Sequence, residues 1–339
     1  MTDLSTPSPA LSIVVPCYNE EAVLGALLAR VRKTCADLKM TDYEIILIDD
    51  GSQDSTARLI EDANSTDPRV RGIILSRNHG HQVALTAGLS YARGARILVL
   101  DADLQDPPEL LGEMMAKMDE GYDVVYGQRM ERAGETRFKK TTAHVFYRLL
   151  HGLIEIDLPT DTGDFRLMSR RVLDIFLSMP EQDRFIRGMI SWIGLRQTAV
   201  QYNRDARFAG ETKYPLKRML RLAVDAFTGF SIKPLRIATY TGFFMAFCSV
   251  LLGARVLYGF LSGNTVPGWT SLMLVVLIIS AVQMMVIGIM GEYIGRLYMQ
   301  SKSRPLFIVD RITDTAASGD QVRHAQNQKT EKTLENSST

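Results

Sequence analysis

Short apolar runs alternate with amphipathic segments through the first half of the chain. The runs end in polar residues, and the spacing of apolar positions that follows them is typical of helices. This pattern predicts strands at Leu11–Val15, Tyr43–Ile48, Val70–Leu75, Ile97–Leu100, Asp123–Gly127 and Gln197–Tyr202. Strands that alternate with helices predict an α/β fold: an open, mostly parallel sheet with helices on both faces.

The pattern changes after Leu235, where two long apolar segments follow one another. Ile237–Leu261 and Ser271–Met290 are each long enough to cross a bilayer of about 30 Å, so we expect a C-terminal hairpin of two transmembrane helices. Basic residues flank the outer ends of this hairpin, and its connector Ser262–Trp269 carries no charge. The positive-inside rule then predicts that both termini are cytoplasmic.

Basic and apolar residues also alternate just before the hairpin. Lys217, Arg218 and Arg221 lie in a pattern that predicts an amphipathic helix on an anionic membrane surface; packing on the α/β domain is the alternative. The chain therefore divides into a flexible leader (1–10), a cytosolic α/β domain (11–215), interfacial helices (216–234), two transmembrane helices (235–300) and a polar cytosolic tail (301–339).

Composition narrows the class of protein and its location. The net charge of the 339 residues is +1, so no global field favours nucleic acid as a partner. The three cysteines have no metal-ligand spacing, and their odd count gives no disulfide framework, which fits a reducing compartment. The first ten residues do not form a signal peptide pattern. We expect a multi-pass protein of the inner (plasma) membrane with its α/β domain in the cytoplasm.

Two carboxylates directly follow the predicted strand Ile97–Leu100. Asp101 and Asp103 are spaced i, i+2, so in an extended chain they lie on one side and repel each other unless a cation sits between them. Oxygen ligands favour Mg²⁺ or Mn²⁺, and such an ion stabilises a diphosphate as a leaving group. The alternative, loop and cap residues, fits Asp106, which precedes two prolines and Glu109 in an N-cap pattern.

Glycine-rich phosphate loops are absent from the sequence. Neither Gly-x-Gly-x-x-Gly after the first strand nor a Walker A pattern occurs. A bound nucleotide would therefore depend on the carboxylates and their metal ion.

Four motifs occur in order: Pro16-Cys17-Tyr18-Asn19-Glu20, Asp49-Asp50-Gly51-Ser52, Asp101-Ala102-Asp103 and Gly163-Asp164-Phe165-Arg166. In this combination the chain resembles a family 2 glycosyltransferase of the GT-A fold. Within that family it looks like a polyprenyl-phosphate glycosyltransferase, close to bactoprenol glucosyltransferases and more distantly to dolichol-phosphate mannose synthase. The resemblance covers about Leu11 to Val309. The Gln-x-x-Arg-Trp pattern of processive synthases is absent, which favours transfer of a single sugar.

The resemblance implies roles at the matching positions. It implies nucleotide-sugar binding by Pro16, Tyr18, Glu20, Asp50, Asp101 and Gln105, metal binding by Asp101, Asp103 and Gln105, catalysis by Asp164 and Asp103, and acceptor-phosphate binding by Arg129, Arg166, Arg207 and Lys213. Asp164 would be the catalytic base near the anomeric carbon. Structural alternatives stay open: Tyr18 in packing, Glu20 in a first helical turn and Asp50 in a turn. His81 departs from the family pattern, in which lysine is common.

The expected activity is inverting transfer of one hexose, glucose from UDP-glucose, onto undecaprenyl phosphate at the cytosolic membrane face. The alternatives are another donor, GDP-mannose or a UDP-modified pentose, and a membrane-anchored scaffold without catalysis. The expected partners are a nucleotide sugar, a polyprenyl-phosphate lipid and the membrane, with Mg²⁺ or Mn²⁺ as cofactor. A homo-oligomer stays open, because two-span hairpins often need partners to bury polar residues.

Overall fold

The structure of the protein is a computed structural model, and it describes residues 8–130, 162–203, 233–262 and 268–313. Several predicted features lie outside these residues: Arg207 and Lys213, the basic amphipathic helix within 216–234, and the end of the polar tail. The strands are β1 (Leu11–Cys17), β2 (Tyr43–Asp49), β3 (Val70–Leu75), β4 (Arg96–Val99), β5 (Val124–Arg129), β6 (Thr162–Ser169), β7 (Gln197–Tyr202) and β8 (Val309–Thr313). The helices are α1 (Leu24–Asp37), α2 (Thr56–Thr66), α3 (His81–Tyr91), α4 (Leu111–Asp119), α5 (Arg170–Ser178), α6 (Ile186–Ile193), α7 (Lys233–Leu261) and α8 (Trp269–Ser301).

All the described strands belong to one sheet, in the order β7-β5-β6-β4-β1-β2-β3-β8. Its centre is parallel: β1 pairs with β2 and β4, and β2 pairs with β3. Every residue of β1, β2 and β3 is buried. Strands covered on both faces need apolar residues on both faces, which is why most residues of these segments are apolar.

Helices cover both faces of the sheet, as predicted. On one face, Ile13 and Val15 of β1 share a core cluster with residues of α1, α2 and α4. On the other face, Val14 and Ile46 share a cluster with residues of α3, α5 and α6. Because neighbouring residues in a strand point to opposite faces, each strand contributes to both clusters.

The strand β6 was not predicted, and it changes the order of the sheet. It lies between β4 and β5 and pairs antiparallel with both. By its acidic composition alone, the segment around Gly163-Asp164 could be only a turn. Instead, this segment begins a buried strand, and its antiparallel direction brings its first residues to the edge where the parallel strands end.

The strand β8 lies inside the segment assigned to the polar tail, so that domain boundary needs correction. It pairs antiparallel with β3 at the edge of the sheet. The hydroxyl of Thr313 accepts a hydrogen bond of 2.9 Å from the amide of Gly72, and Arg311 forms an ion pair with Glu61. The chain after the second long helix therefore returns to the catalytic sheet.

The predicted hairpin forms two long helices, α7 and α8, and both exceed the predicted spans. Their described apolar side chains are largely exposed: those of Phe243 and Tyr258, for example, are 71% and 74% exposed. Within the described residues, Ile278–Ser301 is long and apolar enough to cross a membrane. Near its end, Arg296 donates a hydrogen bond of 2.8 Å to Asp183, which precedes α6.

A buried ion pair joins three strands of the sheet. Glu44 of β2 accepts hydrogen bonds from the hydroxyl of Ser12 at 2.6 Å and from the guanidinium of Arg71 at 3.0 Å. It also accepts a bond of 2.8 Å from the amide of Arg93. Burial acts to raise the pKa of Glu44, but these hydrogen bonds and the Arg71 charge outweigh it and lower the pKa.

We expect Glu44→Gln to destabilise the protein by about 3–5 kcal/mol, because it leaves the buried Arg71 without its counter-charge. The measurement is chemical unfolding of the full chain in detergent. Glu120→Gln is the control: Glu120 pairs with Lys117 at the surface, where an ion pair contributes at most about 1 kcal/mol.

Since the folded-state pKa of Glu44 is lowered, the stability that its charge contributes is present above about pH 4.3 and is lost as the pH falls through the folded-state pKa. The difference between wild type and variant should therefore shrink in acid; equal stability at pH 7 would contradict the assignment.

Candidate functional site

The candidate site lies at the sheet edge where β1, β2, β3 and β4 end. Because β6 is antiparallel to β4, it begins at this edge, and its Arg166 lies opposite Val99. Continuing this register by two residues brings Asp164 towards Asp101. The edge therefore collects the acids that follow β2, the acids that follow β4, and the acid at the start of β6.

The end of β2 is fastened to the loop that precedes α3. Asp50 is buried, and its carboxylate accepts hydrogen bonds from the amides of His79 at 2.7 Å and Gly80 at 2.9 Å. Gly51 has a φ of 67°, and a Cβ there would lie 2.5 Å from the backbone of Arg77. Only glycine allows both this conformation and this close approach.

The loop after β1 is joined to the loop after β2. The side chain of Asn19 accepts a hydrogen bond of 2.8 Å from the amide of Gln53. Pro16 is buried in β1, and Glu20 is partly buried. The ring of Tyr18 is 42% exposed, so it does not pack in the core, which was its structural alternative.

The loop after β4 carries Asp101, Asp103 and Gln105. Burial raises the pKa of Asp101 to about 7; the negative charges of nearby acids act in the same direction, and His81 opposes them. The Oδ1 atom of Asp101 is buried and has no hydrogen-bond partner. Asp103 accepts a hydrogen bond of 3.1 Å from the amide of the buried Gln105.

This loop fits a divalent cation by its donor chemistry. Carboxylate oxygens suit Mg²⁺ and Mn²⁺, and the buried Oδ1 of Asp101 makes no hydrogen bond, with Nε2 of His81 at 3.6 Å. Among the described parts of the chain, no group of three or more His, Cys, Asp or Glu side chains is arranged to hold a metal ion. An ion held by Asp101 and Asp103 would therefore need further ligands from a substrate or water.

Asp106 is not the helix cap that its sequence context suggests. The helical turn begins at Pro108, after Pro107, and no side chain caps it. Asp106 is instead buried and accepts a short hydrogen bond from the hydroxyl of Tyr202 on β7. A tertiary contact to a buried tyrosine replaces the local cap.

Asp164 contacts four polar or charged side chains, although its Oδ1 makes no hydrogen bond. Its Oδ2 lies 3.0 Å from Nε2 of His81 and accepts a hydrogen bond of 2.9 Å from the side-chain amide of Gln82. Its Oδ1 lies 3.3 Å from Nε of Arg187 and 3.9 Å from Nη2 of Arg166. The carboxylate of Asp164 is thus surrounded by side chains from three elements, α3, α6 and β6.

The partners of Asp164 set its charge. Burial acts to raise its pKa, but the hydrogen bond with His81 and the guanidinium charges of Arg187 and Arg166 outweigh burial and hold the pKa well below its usual range. Burial lowers the pKa of Arg166 to about 10. Asp164 is therefore an anion at neutral pH, and its affinity for a proton is weak.

Two of the predicted acceptor-phosphate residues differ in exposure. Arg166 is 4% exposed, and its guanidinium donates to the backbone carbonyls of Asp164 and Gly163, so it lies behind the acid. Arg129 is partly exposed and donates to the hydroxyl of Tyr202 at 3.3 Å. A Cβ at Gly163 would lie 2.8 Å from Nη2 of Arg129, so this glycine leaves room for the guanidinium.

The structure thus brings most predicted residues to one edge and adds others. Asp101 and Asp164 both lie within 3.6 Å of His81, which the sequence analysis named only as a departure from the family pattern. Gln82, Arg187 and Tyr202 were not predicted. The predicted residues Arg207 and Lys213 lie outside the described residues.

Two family models match this chain. The model described as glycosyl transferase family 2 matches residues 12–176, and the model described as GtrB C-terminal hairpin matches residues 233–297. The first covers β1 through most of α5, including the carboxylate-rich edge. The second covers the long helices α7 and α8 almost completely.

The chain is also similar to curated proteins over most of its length. It is 50% identical to the uncharacterized glycosyltransferase YkcC of Bacillus subtilis (strain 168), over 88% of this chain and 93% of that protein. It is 39% identical to the prophage bactoprenol glucosyl transferase homolog of Escherichia coli (strain K12), over 89% of this chain and 99% of that protein. It is also 39% identical to the bactoprenol glucosyl transferase of Shigella phage SfV, over 88% and 97%. A solved structure of glucosyl-3-phosphoglycerate synthase from Mycobacterium tuberculosis covers 65% of this chain and 78% of its own, with 20% identity and a TM-score of 0.42.

We expect Gly51→Ala to lower the stability by about 1–3 kcal/mol, because alanine is strained at this φ and its Cβ would meet the backbone of Arg77. Gly25→Ala is the matched control: Gly25 lies in α1 with no atom within 4 Å of an added Cβ. That change should leave the stability unaltered or raise it by about 0.5–1 kcal/mol, as alanine does in helices. Thermal unfolding of both variants is the measurement. If the two variants have equal stability, the tight contact between the loops is not present.

Proposed function

Because the chain belongs to glycosyl transferase family 2, we propose that it transfers one glucose from UDP-glucose onto a polyprenyl phosphate at the cytosolic face of the membrane. The chain is a glycosyltransferase with a GT-A type sheet. One observation carries the proposal: a family 2 domain and a GtrB-type hairpin occur in one chain that matches bactoprenol glucosyl transferases over nearly their whole length. The acceptor and the donor sugar are part of the proposal.

On the donor side, the loops after β1 and β2 form the nucleotide site. The exposed ring of Tyr18 provides a surface on which a base can stack. The carboxylate of Asp50 is fixed by two backbone amides, so it presents its remaining lone pairs in one direction. Glu20 and Pro16 complete the proposed pocket for the base and the ribose.

Asp101, Asp103 and Gln105 would hold the divalent cation against the donor diphosphate. When bound, Mg²⁺ or Mn²⁺ withdraws charge from the leaving diphosphate. The protein contributes the orientation of the oxygen ligands: the backbone amide of Gln105 holds Asp103, and Oδ1 of Asp101 makes no hydrogen bond that a cation would have to replace. The second pKa of a phosphate ester is near 6, so an acceptor phosphate is mostly a dianion at pH 7.

The acceptor therefore needs little deprotonation, and the low pKa of Asp164 makes it a weak base. We propose that Asp164 orients the reacting groups and stabilises positive charge that develops on the sugar ring. Arg129, Arg207 and Lys213 would hold the acceptor phosphate, and Arg187 adds positive charge beside Asp164. Attack from the face opposite the diphosphate inverts the anomeric carbon.

The C-terminal hairpin places this site at the lipid surface. The exposed apolar side chains of α7 and α8 fit the membrane interior, and the two spans of the proposal leave both termini in the cytoplasm. A soluble donor and a lipid-tethered acceptor can then meet at one sheet edge. The proposal includes this two-span topology.

We expect the full chain in vesicles that contain undecaprenyl phosphate to form lipid-linked glucose from radiolabelled UDP-glucose. GDP-mannose and UDP-pentoses, tested in parallel, should give no lipid-linked product. EDTA should abolish transfer, and Mg²⁺ or Mn²⁺ should restore it. Asp103→Asn should lose several orders of magnitude in rate, whereas Asp174→Asn, a change at an exposed acid of α5, should not. Full activity in the chelator would exclude the metal site, and product from another donor alone would exclude glucose.

A second prediction concerns the role of Asp164. Asp164→Asn should keep donor binding and reduce turnover by at least about a hundredfold, the usual scale for one acid–base or electrostatic group. If Asp164 removes a proton from the acceptor, the variant should recover as the pH rises above 6, where the acceptor is already ionised. Because the pKa of Asp164 is held far below this range, we expect a constant deficit. Turnover measured from pH 6 to 9 separates the two roles, and recovery at high pH would restore Asp164 as a base.

A further inference from the structure

Gln82 makes two hydrogen bonds that neither the family motifs nor the predicted roles account for. It is the second residue of α3 and is partly buried. Its Nε2 donates to Oδ2 of Asp164 at 2.9 Å, and its Oε1 accepts from the amide of Ile186 at 2.9 Å. The neighbours determine the orientation of the amide, because an ionised carboxylate only accepts and a backbone N–H only donates.

The bond to Ile186 satisfies the beginning of α6. The residue before this helix, Phe185, makes no side-chain cap hydrogen bond. The first amides of a helix have no partner within the helix, so they need an acceptor from elsewhere. Gln82 supplies that acceptor from another helix and thereby fixes where α6 begins relative to α3.

The position of α6 in turn fixes Arg187, which follows Ile186. Nε of Arg187 lies 3.3 Å from Oδ1 of Asp164, and its Nη1 donates to the carbonyl of Thr162 at 2.8 Å. Gln82 therefore acts on Asp164 in two ways. It binds Oδ2 directly, and by fixing the start of α6 it positions the guanidinium of Arg187, which lies beside Oδ1. The side-chain amide carries a donor and an acceptor without charge, so it can bind the carboxylate and the backbone N–H at the same time.

We propose that Gln82 is a positioning residue of the transfer reaction: it holds the carboxylate of Asp164 and the guanidinium of Arg187 in one fixed arrangement. The inference rests on the proposed function, because it assumes that Asp164 faces the reacting groups. A carboxylate that must stabilise charge in a transition state has to be oriented before the reaction begins. Gln82 supplies that orientation by linking β6, α3 and α6.

The test compares Gln82→Met with Gln82→Glu. Methionine has a similar length but makes neither bond. Glutamate keeps an acceptor for the amide of Ile186, loses the donor to Asp164 and brings a like charge to it. We expect unchanged donor binding in both variants, turnover reduced about tenfold to a hundredfold in Gln82→Met, and a larger loss in Gln82→Glu, since a hydrogen bond to a charged group is of this strength. Ser90→Ala, which removes another side-chain hydrogen bond of α3, is the control and should keep full turnover.

Combination with Asp164→Asn separates positioning from a general structural role. If Gln82 acts through Asp164, Gln82→Met should cost less than about threefold in the Asp164→Asn background. An equal cost in both backgrounds, or full turnover of Gln82→Met, would overturn the proposal.

Hydrogen exchange of the α6 amides gives a readout that does not depend on the reaction. The amide of Ile186 should exchange faster in Gln82→Met and remain protected in Gln82→Glu. If wild type itself makes no lipid-linked glucose, the proposed function fails, while this measurement still tests the link to α6. Unchanged exchange in Gln82→Met would show that the link is absent.

Discussion

The crowding of carboxylates at one sheet edge is the constraint on which the site depends. Like charges in a partly buried place are costly unless each one has a specific partner. The acids obtain different partners: backbone amides for Asp50, Tyr202 for Asp106, and His81, Gln82 and two arginines for Asp164. Asp101 and Asp164 each have one buried oxygen without a hydrogen-bond partner. That oxygen of Asp164 lies 3.3 Å from the guanidinium of Arg187, whereas that of Asp101 lies 3.6 Å from the imidazole of His81. A permanent cation therefore faces Asp164, whereas the group that faces Asp101 is charged only when its ring is protonated.

The sequence predicted the parallel strands well because their physical requirement is simple. Val70–Leu75 and Gln197–Tyr202 have the predicted bounds, and the other predicted strands differ by one or two residues at their ends. The strands β1, β2 and β3 are buried on both faces and mostly apolar, so they stand out in the sequence. The strands β6 and β8 were missed because charged residues interrupt their short apolar stretches, and the partner of β8 is about 240 residues away in the chain.

The site was predictable only where the chemistry is local. Asp101 and Asp103 follow a strand with a spacing that aligns them, so the sequence reveals them. Asp106 was wrongly explained as a cap, because the contact with Tyr202 joins residues 96 positions apart and overrides the local pattern. Gln82 contacts Asp164 and Ile186 across 82 and 104 residues, so neither contact has a signal in the sequence around it.

Some of the same contacts connect Asp164 to the C-terminal hairpin. Arg296, near the end of α8, donates to Asp183 in the segment that leads into α6, and Gln82 binds the first residue of α6. This segment is therefore held from one side by the hairpin and from the other by the residue that also binds Asp164. In the proposed transfer, the acceptor lipid and Asp164 must be aligned, and geometry errors of about 1 Å are costly in catalysis. The contacts of Arg296 with Asp183 and of Gln82 with Ile186 link the hairpin to the start of α6, and Gln82 links the start of α6 to Asp164.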